Sequence, residues 1–375
     1  MLIPANPLVK NAIRPLEKNS LVFPWDRGFF SNNGTTAIIL TLKELGIKKG
    51  SSIAVPAYIC NSVPNSLIKY GYIPIYFDIE KNFIPKNDKL NELIYNKKIK
   101  ALILIEYFGL FSNKINRLIK DIKAKNNLKI ILDRCHSSFS GELKTSQLYK
   151  IDAIVYSHRK TVRVIDGGCH LILSKTNSPK SHEIKNISKI STFYIFSCVE
   201  KFIYNAKLVN VYSELIYKIR NLLRNFFKSE YPIIKLQNNS QISNYLYSIL
   251  SDKNHIQNII DKRRLNYNFL ISKLSKYENK YFKLVCKKLD INETPQVLPL
   301  LDAKGGLVPF LRKHGIGAYH WPDFELPIFI RENEIMYSNS NIYNKSLVCI
   351  PIHQSLKLNH LEYIIRIIIK WFNYD

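Results

Sequence analysis

The sequence predicts an α/β protein: a large, mostly parallel sheet domain followed by a smaller C-terminal domain that is again mixed α/β. Two observations carry this. Short apolar runs alternate with amphipathic helical stretches through the first half of the chain, the pattern of strands covered on both faces by crossover helices. At 375 residues the chain is also long enough for two domains in one compact unit.

The elements follow in order. Residues 34–46 (GTTAIILTLKELG) read as a helix opened by Gly and Thr. SIAVPAY is a short strand, and residues 60–70 are helical. YIPIYFDI is a strand and KNDKLNELIYN a helix. IKALILIEYFG, NKINRLIKDIKAKNN and LKIILDRCH give strand, helix and strand, and DAIVYS and GCHLIL are two more strands. From 186 to 250 long helical segments rich in Tyr, Phe and Lys take over, their aromatic stripes reading as core or subunit contact. Residues 251–375 return to mixed α/β and end in an apolar helix, HLEYIIRIIIKWF, expected to pack on the second domain. The expected division is therefore a large domain with an N-terminal arm over 1–185, a connecting helical segment over 186–250 and a small domain over 251–375.

Composition narrows the class. Hydrophobic residues make up 46% and charged residues 22%, a soluble globular balance. The opening MLIPANPLVKNAIRPLEK is too polar for a secretory signal, and no apolar run reaches the length of about 18 residues that a membrane span needs. Six cysteines lie scattered without CxxC spacing, so free thiols in a reducing cytoplasm are expected. The nine histidines lack ligand spacing, and no metal is expected. A net charge of +26 suits nucleic acid, an anionic surface or a phosphorylated substrate. Because the lysines are dispersed and Lys, Asn and Ile are abundant throughout, a nucleic-acid partner is not expected.

Ligands of such sheets bind beyond the carboxyl ends of the strands, where Asp133, Ser157 and Lys160 fall. NNGTTA opens a helix with Gly34, Thr35 and Thr36, whose N–H groups, hydroxyls and helix dipole suit a phosphate. LDRCH puts Asp133 at a strand end, able to pair with a protonated ring nitrogen, with His136 close behind. SHRK puts Ser157 before Lys160, an amine able to form a Schiff base with an aldehyde. Singly, each has a plainer meaning: a helix cap, a turn residue, a surface lysine. Together they are what pyridoxal phosphate requires.

The flanking motifs go further. The run from Asn32 to Glu80 has a Gly-Thr helix, a Val-Pro strand end and a G-x-x-P-x-x-x-D strand; EYFG, LDRCH, DAIVYS, Lys160 with Asp166-Gly167-Gly168, and KHGIGAYHWP follow in order. On these motifs the chain resembles the DegT/DnrJ/EryC1/StrS family of pyridoxal-phosphate-dependent sugar aminotransferases, well over residues 28–175 and loosely over the C-terminal third. The resemblance implies the three-layer α/β/α architecture of fold type I and a homodimer with sites at the subunit interface. It makes Lys160 the Schiff-base lysine, Asp133 the ring-nitrogen acid, His136 its companion and Ser157 a phosphate contact. The residue against the cofactor ring falls near Cys60, with Tyr58 the other candidate.

The implied reaction moves an amino group from an amino acid, glutamate, to a keto-sugar on a nucleotide, in surface polysaccharide or specialised glycoside synthesis. Tyr319, His320 and His353 are candidates for the sugar wall, since aromatic faces pack on sugar rings and imidazoles bond to hydroxyls. Two departures stand out. The segment from Ser157 to Lys160 is two residues shorter than in most members, and Thr161 replaces the asparagine that commonly follows the lysine. A sugar dehydratase of the same family is an alternative, against which Lys160 argues; a regulatory relative without catalysis is another, which the shortened segment favours.

Overall fold

The computed structural model describes residues 1–7, 21–22, 24–141, 150–164, 166–173, 182–185, 239–322 and 326–372. Most of the expected connecting segment, residues 186–238, lies outside them.

A seven-stranded sheet dominates the first half. Its elements run β1 (Phe29–Ser31), α1 (Gly34–Glu44), β2 (Ser52–Pro56), α2 (Ser62–Lys69), β3 (Ile73–Phe77), α3 (Asn87–Asn96), β4 (Ala101–Ile105), α4 (Ser112–Lys125), β5 (Lys129–Asp133), β6 (Ala153–Ser157) and β7 (Gly168–Ile172). Across the sheet the order is β1-β7-β6-β5-β4-β2-β3. The five strands from β6 to β3 are parallel, and β7 and β1 close the far edge antiparallel. Every strand and helix expected here from periodicity is present; β1, only three residues long, is an addition.

Strand alternation sorts the core into two. Ile103, Ile105, Ile131 and Val155 enter one apolar cluster, whereas Leu102, Leu104, Ile130, Leu132, Ile154 and Tyr156 enter the other. The second cluster is closed by α4, whose Ile115, Leu118, Ile119 and Ile122 recur at helical spacing. The first runs on without a break into the C-terminal part of the chain.

That part begins with β8 (Glu183–Lys185) and β9 (Gln241–Ser243), a small parallel pair, then α5 (Asn244–Leu250) and the long α6 (Lys253–Leu274). There follow β10 (Phe282–Leu284), β11 (Val297–Asp302), α7 (Leu307–Lys313), β12 (Tyr319–His320), α8 (Ile328–Glu332), α9 (Ser338–Ser346), β13 (Leu347–Pro351) and α10 (Leu358–Phe372). The four strands β10–β13 form an antiparallel sheet in the order β10-β11-β13-β12. The apolar C-terminal helix α10 packs on α6 and α7, as expected. The N-terminal residues lie against this second sheet: Ile3 N–H donates to Gly315 O at 2.7 Å, and Gly317 N–H donates to Ile3 O at 2.7 Å. Among the described residues, no helix is long and apolar enough to cross a membrane.

Candidate active site

Alternation places the site. Asp133 shares the parity of Ile131, and β5 pairs β6 with Asp133 opposite Val155, so Asp133, Cys135 and Ser157 all project toward the first cluster. Arg134 and Glu106 turn to the opposite face, where Arg134 Nε donates to Glu106 Oε2 at 3.1 Å in a fully buried ion pair. Burial opposes that guanidinium's charge, but Glu106 and Tyr156 outweigh it and hold its pKa above the ordinary value. One pentapeptide, LDRCH, thus sends its acid to the site and its arginine to the scaffold.

The start of α1 arrives at the same place because β1 runs alongside β7 and ends at the carboxyl edge of the sheet. Asn33 caps the helix: its Oδ1 accepts from Thr36 N–H at 2.9 Å and from the Thr36 hydroxyl at 3.2 Å. Thr36 is therefore engaged by the cap, and the N–H groups of Gly34 and Thr35 are the ones helix geometry leaves for a ligand. A β-carbon on Gly34 would lie 2.5 Å from Cys135 Sγ, 3.2 Å from Ser157 Cβ and 3.6 Å from Ser157 Oγ. Only glycine fits this junction of helix start, β5 end and β6 end. Gly168 is required on the same ground, for a β-carbon there would meet Asn33 O at 2.1 Å.

Polar side chains converge here. Ser157 is 1% exposed, and among the described residues its Oγ has no hydrogen-bond partner. Asp133 is buried, with Oδ1 accepting from Cys135 N–H at 2.8 Å. Lys160 ends a single helical turn, His158–Lys160, and its charge reaches both Cys135 and His136. Burial pushes the Cys135 thiol well up, and Asp133 adds to this. Burial first, then the Lys160 charge, pushes His136 well below its ordinary value, so its ring is neutral.

His136 forms the floor. Its ring stacks on Phe108 at 5.5 Å and meets the Trp321 edge at 4.8 Å. Phe108, at φ 58°, and Phe111, at φ 64°, both sit in the left-handed region, a strained stretch that presents the Phe108 ring to His136.

The two candidates for the cofactor ring part company. Tyr58 is completely buried among Phe83, Tyr107, Trp321 and Tyr343, with its hydroxyl donating to Trp321 O. Cys60 is half-buried and linked to the α1 start: Thr35 Oγ1 donates to Ser62 Oγ at 3.4 Å, and Ser62 Oγ to Cys60 Sγ at 3.4 Å.

Of the sugar-wall candidates, Tyr319 and His320 are half-buried on β12. His320 Nδ1 donates to Leu347 O at 2.9 Å, which sets the tautomer and leaves Nε2 as an acceptor. His353 is not brought to them. It is 2% exposed, its Nε2 donates to Pro4 O at 3.0 Å, and the N-terminal residues cover it. Sequence reasoning gave no role to Trp321 or Ser62, although both lie inside the quoted motifs, Trp321 in KHGIGAYHWP and Ser62 in the run from Asn32 to Glu80.

Comparison with known proteins follows the same lines. A dTDP-4-amino-4,6-dideoxy-D-glucose transaminase of Shigella dysenteriae is 29% identical over 161 residues, 42% of this chain and 43% of its own. The chain spans less than half the length of the curated relatives it matches. Among solved structures, a DegT DnrJ EryC1 StrS aminotransferase from Brucella abortus superposes with a TM-score of 0.63 at 15% identity, over 93% of this chain and 86% of that one. NtdA of Bacillus subtilis, with bound cofactor PMP, superposes with a TM-score of 0.62 at 16% identity, over 92% and 73%. The family profile itself covers residues 30–369, nearly the whole chain, and with the fold and the motif order in agreement the protein belongs to the DegT/DnrJ/EryC1/StrS aminotransferase family.

Proposed function

We propose that this protein is a pyridoxal-phosphate-dependent aminotransferase that moves the amino group of an amino acid, glutamate, to a keto-sugar carried on a nucleotide. One observation carries the reading: the buried Ser157 Oγ, without a partner among the described residues, beside Gly34 at a helix start that has no room for a β-carbon. Such a cradle fits the phosphate of the cofactor. In this reading the Gly34 and Thr35 N–H groups and the Ser157 hydroxyl bind that phosphate, aided by the α1 dipole. Asp133 accepts from the protonated ring nitrogen and keeps the proton there. His136, neutral and held between Phe108 and Trp321, is the residue that would back the ring. Cys60, half-buried just before α2, would border it. Bound there, pyridoxal phosphate supplies the electron sink and the amino-group carrier. Lys160 is the amine that would hold the cofactor's aldehyde carbon and serve as the base for the proton at the donor's α-carbon.

The sugar side is assigned to Tyr319 and His320, with Trp321 joining that wall to His136. A nucleotide diphosphate suits the basic chain, and the Shigella relative acts on a dTDP-sugar by its name. In this reading residues 1–185 are the cofactor domain with its N-terminal arm, 186–250 the connecting segment and 251–375 the small C-terminal domain of a cytoplasmic homodimer, feeding surface polysaccharide or specialised glycoside synthesis. Borohydride reduction followed by peptide mapping tests the core of this proposal, and label on any lysine other than Lys160 overturns it. Amino transfer from L-glutamate to a panel of keto-sugar nucleotides tests the substrates. If some other ketone is the sole acceptor, the sugar assignment falls and the aminotransferase stands.

A further inference from the structure

Arg263 is the largest fully buried side chain of the described residues, 1% exposed in the middle of α6. A buried charge is costly to keep and is ordinarily matched by a carboxylate. Among the described residues Arg263 has none. Its guanidinium is instead spread over neutral acceptors: Nε donates to Gln354 Oε1 at 2.9 Å, Nη1 to Gln296 O at 2.8 Å and Pro295 O at 3.3 Å, and Nη2 to Thr161 O at 2.9 Å. Burial pulls its pKa down only to about 10, so it stays charged at neutral pH.

The acceptors come from three separated places. Pro295 and Gln296 lead into β11, Gln354 follows β13, and Thr161 is the residue after Lys160. Gln354 reaches the same carbonyl, with Nε2 donating to Thr161 O at 3.4 Å. The other flank of the lysine turn is held differently. His158 N–H donates to Gly167 O at 2.8 Å, and the His158 ring is plugged among Trp25, Phe139 and Tyr156. The turn between these two anchors is short, closed on itself by Thr161 N–H and Val162 N–H donating to His158 O at 2.9 Å each, so its direction follows from how the two anchors are seated.

We propose that Arg263, assisted by Gln354, is a positioning residue: it clamps the Thr161 carbonyl to the C-terminal sheet and so aims Lys160 into the site. The clamp makes the lysine's direction depend on the seating of β11 and β13. A charged donor outlasts a neutral one at such a carbonyl because its hydrogen bonds are about twice as strong. This inference rests on the reading of Lys160 as the cofactor-bearing lysine.

The test uses full-length Arg263→Met and Arg263→Lys proteins. Hydrogen exchange over residues 158–164 is measured without cofactor, together with the pH midpoint of the visible absorbance, kcat and KM once cofactor is added. Arg263→Met is expected to raise exchange in that segment about tenfold, to move the pH midpoint by about half a unit or more, and to lower kcat about tenfold with KM for the amino donor nearly constant. Arg263→Lys should recover part of each, since an ammonium still reaches one carbonyl. Wild-type exchange and an unmoved midpoint in a folded Arg263→Met protein overturn the clamp. If that variant does not fold, Gln354→Leu removes one partner of the same network and carries the same readouts. Borohydride label away from Lys160 would sink the functional reading instead, and the exchange measurement separates the two failures.

Discussion

Replacing Gly34 by alanine adds one methyl group at the tightest junction of the site. Its β-carbon would stand 2.5 Å from Cys135 Sγ and 3.2 Å from Ser157 Cβ. Real β-carbons do not approach sulfur so closely, so the start of α1 must lift or the Cys135 loop must move. Overpacking of this kind costs about 1–3 kcal/mol. The cost has two outlets. If the helix start lifts, the Gly34 and Thr35 N–H groups leave the phosphate, and affinity for pyridoxal phosphate falls about 5- to 150-fold. If the helix holds, strain stays in the cofactor-free protein and lowers its melting temperature. Fluorescence titration with pyridoxal phosphate and thermal melts of the cofactor-free protein together capture the sum. Cys135→Ala in the Gly34→Ala background removes the 2.5 Å contact and leaves those to Ser157 Cβ at 3.2 Å and Oγ at 3.6 Å, so it should restore most of the loss. A Gly34→Ala protein with unchanged affinity and melting temperature would falsify the junction as described, and so would a double variant no better than the single one.

Three further expectations stand beside this one. Lys160→Ala should fold, bind pyridoxal phosphate without covalent attachment and lose transamination; label retained after borohydride treatment would show that another lysine serves. Asp133→Asn should keep the Cys135 N–H bond but lose the charge that holds the ring proton, worth about 1.5–3 kcal/mol in cofactor binding and orders of magnitude in turnover; wild-type rates would reduce Asp133 to a strand-end residue. His158 and His353 are each pulled down by burial to about 3. The unfolded chain protonates them near 6.5, so between about 6.5 and 3 it binds the extra protons, and stability falls with pH by up to about 1.4 kcal/mol per unit for each. His158→Phe should flatten that acid slope in thermal melts, because among the described residues both His158 ring nitrogens lack partners in their aromatic cage; an unchanged slope means His158 is not buried neutral.

Much of the large sheet was legible because its signal is local. In Ala101–Ile105 and Ala153–Ser157 the residue type repeats within one strand, and the alternation that puts Asp133 and Ser157 on one face follows from the same period. The helix start at Gly34 could be read too, from Asn33 and the threonines beside it. β1 escaped because three residues carry no period, and its pairing partner lies in β7, far along the chain.

What the sequence determined by itself was therefore the order of strands and helices, the set of residues at the carboxyl ends and their chemistry. Tertiary structure alone decided which of them meet. It put Trp321 against His136, gave the Thr36 hydroxyl to Asn33, withdrew His353 beneath the N-terminal residues, and ran Arg263 to the carbonyl behind Lys160. The physical reason is one of range. Periodicity and capping are short-range and leave a pattern in neighbouring residues. A hydrogen bond between Arg263 and Thr161 joins positions far apart in the chain, and it exists only after two sheets have packed on a common apolar core.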